Sequence, residues 1–171
     1  MRSHSVRRLV LAAMFLALGL VLPFLTGQIP QFGSMLLPMH LPVLLCGFVC
    51  GGPLGLAVGA ITPVLRSALF SMPQMFPTAV AMAFELATYG LVTGLLYRRL
   101  PKTVPMLFAA LLAAMAAGRL VWAAATFLLT GSLTLQAFLA GALLTAWPGI
   151  VLQLVLVPAL VLALRRARLM E

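Results

Sequence analysis

The chain has 171 residues, a formal net charge of +9 and a mean hydropathy of +1.19, with 64% hydrophobic and 8% charged residues. Soluble domains carry about 25% charged residues because their surfaces face water, so this composition excludes a water-soluble globule. It also excludes intrinsic disorder, which needs low hydrophobicity, and the long unbroken apolar runs exclude the alternating pattern of an outer-membrane barrel.

Apolar segments fill the chain in order and leave no room for a soluble domain, so residues 1–171 are predicted to form one transmembrane domain. The first segment is predicted to be a retained helix, because it is longer than the apolar region of a signal peptide and no A-x-A cleavage site follows it. The Gly-Gly-Pro run at 51–53 predicts a tight turn, and Pro148 and Pro158 are predicted to kink the last segment. The six predicted spans are Val6–Leu25, Met35–Cys50, Leu54–Phe70, Thr78–Tyr97, Val104–Thr130 and Ala137–Leu164.

The basic residues predict the orientation of these spans. With six spans, the three basic clusters lie on one side of the membrane, and the loops after spans 1, 3 and 5 contain no Lys or Arg. The positive-inside rule then places both termini in the cytoplasm. No aromatic residues interleave with the basic ones in the manner that stacks bases, so no nucleic-acid partner is expected. The clusters are Arg2, Arg7 and Arg8; Arg98, Arg99 and Lys102; and Arg165, Arg166 and Arg168.

Ionisable residues inside the predicted spans are costly and usually functional. At a rise of about 1.5 Å per residue, Glu85 lies roughly 12 Å and Arg119 roughly 16 Å below the outer ends of their spans. Arg66 lies near the outer end of span 3, and His40 lies in the outer part of span 2. The similar depth of these groups predicts a pocket that opens outward.

Helical spacing places neutral side chains on the helix faces that carry Glu85 and Arg119, since residues three or four apart are neighbours on a helix. Two Arg against one Glu leave a surplus positive charge at this depth, which favours a substrate with a carboxylate or phosphate. The predicted substrate-binding residues are His40, Arg66, Glu85, Tyr89, Arg119 and Trp122 in the spans and Gln31 and Gln74 in the loops, with Thr126, Trp147 and Gln153 as further contacts.

Each ionisable candidate also has a structural interpretation. Glu85 and Arg119 can form a buried ion pair whose only role is to neutralise itself. Arg66 can extend to the membrane interface, and His40 can bond a carbonyl freed by a neighbouring proline.

No enzyme motif is present. Cys46 and Cys50 lie one helical turn apart, but no Asp, Glu or His follows at a ligand spacing, so no metal site is expected. A serine hydrolase built on Ser34 and His40 lacks an oxyanion motif, and no P-loop occurs, so the chain is not expected to hydrolyse ATP.

The basic N-terminus, the Ala13-Met-Phe-Leu-Ala17 run and the glycine-rich turn Gly47-Phe-Val-Cys-Gly51-Gly52-Pro53-Leu-Gly55-Leu-Ala-Val-Gly59 carry a family resemblance. Over nearly its whole length the chain resembles S components, the substrate-binding membrane subunits of energy-coupling-factor (ECF) vitamin transporters. The resemblance implies a prokaryotic, multi-pass cell-membrane protein that forms an all-α bundle of six transmembrane helices.

The resemblance also implies the partners. Ala13 and Ala17 would face a transmembrane coupling (T) subunit, to which two ABC ATPase subunits attach. Those ATPases would use ATP, and this chain would bind no cofactor. The vitamin would bind near the outer side, under the loops after spans 1, 3 and 5.

Charge and resemblance together predict a high-affinity substrate-binding subunit of an ECF-type ABC importer for a water-soluble vitamin. The surplus Arg favours an anionic vitamin, pantothenate first and nicotinate or biotin next. The alternative is a standalone small-solute carrier or channel. That alternative needs polar residues through both halves of the membrane, whereas the inner halves of the predicted spans are almost wholly apolar.

Overall fold

The computed structural model describes residues 2–26, 35–132, 134–140, 145–167 and 170. Within these ranges the regular elements are all helical. A 3₁₀ turn at Leu22–Thr26 extends the first helix, and a π-helical turn at Met75–Ala79 precedes the fourth. The α-helices are α1 (Arg2–Val21), α2 (His40–Cys50), α3 (Gly52–Phe70), α4 (Val80–Arg99), α5 (Val104–Thr130), α6 (Leu135–Leu139) and α7 (Trp147–Arg166).

Five helices in the described ranges are long and apolar enough to cross a membrane, and α2 is a shorter apolar helix. The prediction of an all-helical membrane bundle is confirmed. Helix α4 is central, because it packs on α2, α3 and α5.

The second helix begins later than predicted. Span 2 was predicted from Met35, but the chain turns at Leu37, whose φ is 49°, and α2 begins at His40. Leu37 precedes Pro38, and a residue before proline is disfavoured in the right-handed helical conformation. With 11 residues α2 is about 17 Å long, well short of a bilayer core of about 30 Å. His40 therefore lies at the first residue of its helix instead of inside a longer span.

The last predicted span, Ala137–Leu164, was wrong in its first part. The short helix α6 ends at Leu139, residues 141–144 lie outside the described ranges, and the long helix α7 begins only at Trp147. Pro148 lies in the first turn of α7, where its missing N–H has no intrahelical partner to lose. It therefore begins the helix and does not kink it, whereas Pro158 lies inside α7 as predicted.

Helices α3 and α4 approach each other through glycines. A Cβ on Gly90 would lie 2.2 Å from the carbonyl oxygen of Gly55, and a Cβ on Gly59 would lie 2.2 Å from that of Leu86. Small residues allow such close backbone contact in lipid, where no hydrophobic force draws helices together. These contacts determine the register of α3 on α4, and so the depth of every side chain on the two helices.

The described basic residues of the three clusters lie at one end of the bundle, called here the basic end. Arg8 donates two hydrogen bonds to the carbonyl oxygen of Cys50, at the end of α2. Arg165 donates from Nη1 to the carbonyl oxygen of Lys102 at 2.7 Å, which joins the end of α7 to the loop before α5. The assignment of this end to the cytoplasm stays a prediction of the positive-inside rule.

Candidate functional site

Glu85 is the centre of a buried polar cluster between α2, α4 and α5. It is 1% exposed, and three side chains converge on its Oε1 atom. The Tyr89 hydroxyl donates to Oε1 at 3.1 Å, and Nη1 of Arg119 lies 3.1 Å from the same oxygen. Nε2 of His40 lies 3.5 Å away, outside hydrogen-bond geometry. We call His40, Glu85, Tyr89 and Arg119 the carboxylate cluster.

Local sequence explains how these groups meet. Glu85 and Tyr89 are four residues apart and therefore share one face of α4. Gly118 directly precedes Arg119, and a Cβ on Gly118 would lie 2.0 Å from the Tyr89 ring, so glycine lets α5 lie against that ring. The His40 ring packs edge-on against Tyr89, with ring centroids 5.4 Å apart. Contacts between helices thus bring Arg119 and His40 to the carboxylate.

Several buried side-chain atoms away from the basic end have no hydrogen-bond partner in the structure. They include both ring nitrogens of His40 and the Nη2 atom of Arg119. The Oγ1 atom of Thr126 and both amide atoms of Gln153 are unpaired in the same way. Buried polar atoms are nearly always paired, because an unpaired one costs about 1–3 kcal/mol. These atoms are therefore candidates for contact with a ligand.

Gln153 belongs to the contact between α7 and the beginning of α2. Gly149 lies one turn earlier on the same face of α7, and a Cβ there would lie 2.6 Å from the carbonyl oxygen of Met35. The same Cβ would lie 2.9 Å from the carbonyl oxygen of Leu36, so α7 packs closely against the segment just before α2. The fully buried Gln153 therefore shares the face of α7 that packs against Met35 and Leu36.

Arg66 is engaged elsewhere. It is 2% exposed and donates from Nη1 to the carbonyl oxygen of Leu20, near the end of α1. Its guanidinium lies over the rings of Phe24 and Phe70, at 5.0 Å and 5.3 Å from their centroids. A cation is stabilised both by aromatic faces and by the carbonyls at a helix C-terminus. The side chain is thus held in the contact between α1 and α3.

This location corrects the predicted grouping of Arg66 with the other ionisable residues. Gly59 packs against Leu86 and Gly55 against Gly90, so the antiparallel register places Arg66 level with the start of α4. It therefore lies more than one turn farther than Glu85 from the basic end. The sequence indicated similar depths for these groups, but the helix register, which depends on packing, separates Arg66 from Glu85 along the bundle. Binding of substrate by Arg66 stays a prediction.

Trp122, Gln74 and Trp147, which were also predicted to bind substrate, lie in the described ranges. Trp122 stacks on Phe138 of α6, with centroids 6.3 Å apart and planes at 29°. Gln74 is exposed in the segment before the π-helical turn, and Trp147 is exposed at the start of α7. Gln31 lies outside the described residues. The structure therefore brings Tyr89, Arg119 and His40 to Glu85, and it describes no contact of Trp122, Gln74 or Trp147 with that residue.

The model of one protein family matches residues 7–161, and its description is ECF transporter, substrate-specific component. The chain belongs to this family. As an S component it is a multi-pass membrane transport subunit and not an enzyme, and its family associates with the T and ATPase modules of an ECF importer. No curated protein and no solved structure matches the chain.

Proposed function

We propose that this S component binds an anionic, water-soluble vitamin with high affinity, beside the carboxylate cluster. Pantothenate is the favoured substrate, and nicotinate or biotin comes next. The observation that carries the proposal is the state of Arg119. Its Nη1 atom is held by Glu85, while Nη2 is buried and unpaired. A guanidinium presents its N–H groups as a rigid fork, so a second carboxylate can bind the free side.

Glu85 offsets the formal charge of Arg119. The cluster would therefore attract a ligand through oriented hydrogen-bond donors more than through a net positive charge. Arg119 and the His40 ring each supply a buried nitrogen without a hydrogen-bond partner, and the Gln153 amide supplies a donor and an acceptor. A ligand that matches this set has a carboxylate for the donors and an amide or hydroxyl for Gln153. Pantothenate carries all of these groups, which supports its place ahead of nicotinate.

Pairs of acids and their neutral analogues test the charge of the substrate. We expect the purified S component to bind pantothenate, nicotinate or biotin at least about tenfold more tightly than panthenol, nicotinamide or biotin amide. The reason is that a hydrogen bond to a charged group contributes about 1.5–3 kcal/mol. Isothermal titration calorimetry in detergent measures both members of each pair. Equal affinities within the pair that binds best contradict an anionic substrate, and mass spectrometry of the co-purified molecule identifies the vitamin.

Gln153→Leu separates a binding role from a packing role. We expect it to lower affinity for the vitamin about fivefold, because a neutral hydrogen bond contributes roughly 1 kcal/mol. Thermal stability should be unchanged or higher, since leucine removes a buried amide that has no partner. Val155→Leu, on the exposed side of the same helix, is the control. Lower stability with unchanged affinity would mean that Gln153 only supports packing.

We place the docking surface for the T subunit on α1. Ala13 and Ala17 are both exposed, and Val10 and Val21 are exposed along the same face. Among the long helices of the described ranges, the first span has the smallest buried share, 22% of its apolar 18-residue stretch. A strip of small residues lets a partner helix approach closely in lipid. ATP is expected to bind the partner ATPase subunits, and this chain is expected to bind no cofactor.

The alternative function, a standalone carrier or channel, makes the opposite prediction about this face. A standalone protein needs no partner on α1, and a substitution there would leave its transport unchanged. The dependence of assembly on Ala13, described in the Discussion, therefore discriminates the two functions.

A further inference from the structure

A polar cavity lies at the basic end, away from the carboxylate cluster. It has a volume of about 270 Å³ and lies between the start of α1, the turn from α2 to α3, and the end of α4. Four cationic side chains line it: Arg7, Arg8, Arg98 and Lys102. No acidic residue of the described part of the chain is among its lining residues. The cavity therefore gathers several cationic side chains around a small volume.

Gly51 brings two of these cations together. A Cβ on Gly51 would lie 2.7 Å from Nη2 of Arg8 and 2.7 Å from Nη2 of Arg98, so both guanidinium groups lie over this residue. Arg8 is held there by its hydrogen bonds to the Cys50 carbonyl. Like charges at such short range repel, and an anion between them converts the repulsion into attraction.

Tyr97 is an independent indication of a ligand in this cavity. The residue is 5% exposed, and its ring packs edge-on against Phe48 with centroids 5.2 Å apart. Its hydroxyl is buried and has no hydrogen-bond partner in the structure. Tyr97 also lines the cavity, and Nζ of Lys102 lies 6.0 Å from its ring centroid. A buried unpaired hydroxyl beside a cluster of cations is a donor suited to an anion.

We propose that this cavity binds the phosphate headgroup of an anionic phospholipid. Arginine pairs bind phosphate oxygens in forked geometry, and the Tyr97 hydroxyl supplies a further donor. The apolar part of the wall, formed by Leu11, Phe48 and Val49, suits the glycerol and first methylene groups of a lipid better than free phosphate. The cavity also lies at the ends of membrane-spanning helices, which is the depth of headgroups.

Native mass spectrometry of the purified S component measures the proposed binding. The micelles contain equal amounts of phosphatidylglycerol and phosphatidylcholine, and we expect selective retention of phosphatidylglycerol. Arg98→Gln should weaken retention about tenfold, because it removes a charge-assisted bond, and Tyr97→Phe about fivefold. Arg99→Gln is the matched control, since Arg99 is exposed at the same helix end but does not line the cavity. It should leave retention unchanged.

Three results would overturn the proposal. The first is an equal loss of phosphatidylglycerol in Arg98→Gln and Arg99→Gln, which indicates diffuse surface charge. The second is retention of both lipids alike by the wild type. The third is displacement of phosphatidylglycerol by excess inorganic phosphate, which assigns the cavity to free phosphate.

Two controls separate loss of lipid binding from damage to the vitamin site and from loss of stability. Tyr97→Phe should keep the thermal stability of the wild type, because its hydroxyl has no partner to lose. Arg98→Gln should keep vitamin affinity, because Arg98 lies at the opposite end of α4 from Glu85. Failure of lipid binding therefore leaves the proposed function untouched, and failure of vitamin binding leaves this proposal untouched.

Discussion

Glu85→Gln is expected to lower the free energy of unfolding by about 3–5 kcal/mol. The substitution keeps the shape of the side chain but removes the charge that compensates Arg119, whose Nη1 lies 3.1 Å from the carboxylate. The guanidinium then stays largely buried without a counter-charge, which is the costly way to break an ion pair. Thermal unfolding in detergent, compared with Arg99→Gln as a control for loss of a surface charge, measures the effect. An unchanged melting temperature contradicts a buried, compensated pair.

A double variant separates the structural role of the pair from its binding role. Glu85→Gln combined with Arg119→Gln removes both charges, so most of the lost stability should return. Vitamin binding should not return, because the free Nη2 donor of Arg119 is gone. Recovery of both stability and affinity would show that Glu85 and Arg119 form a purely structural pair. It would also remove the main support for an anionic substrate.

Ala13→Trp is expected to abolish assembly with the T subunit and the ATPases. An indole on an exposed strip of small residues holds a partner helix away from the close approach that the strip permits. Co-purification of a tagged S component with the other subunits measures assembly, and vitamin binding by the isolated variant should match the wild type. Ala109→Trp, at an exposed alanine of α5, is the matched control. Intact assembly of the Ala13 variant would reject α1 as the docking surface. It would favour the standalone alternative only if transport also continues without the partner subunits.

The sequence by itself determined the class of this protein. A chain with 64% hydrophobic and 8% charged residues is suited to a bilayer, where the backbone N–H and C=O groups can all be hydrogen-bonded only in helices or in a closed barrel. The unbroken apolar runs exclude the barrel and so predict helices. The pairing of Glu85 with Tyr89 was also predictable, because a four-residue interval places two side chains on one helix face. Such features depend only on residues close together in the chain.

Only the tertiary structure decided which distant groups meet. Arg66 and Arg119 were equivalent candidates in the sequence, but the glycine contacts of α3 with α4 place Arg66 near Leu20 and leave Arg119 beside Glu85. The sequence could not predict that the Gln153 amide is unpaired. Whether a buried group has a hydrogen-bond partner depends on which side chains the neighbouring helices place beside it. Helix rotation and register arise from packing between helices, and no local pattern along the chain specifies them.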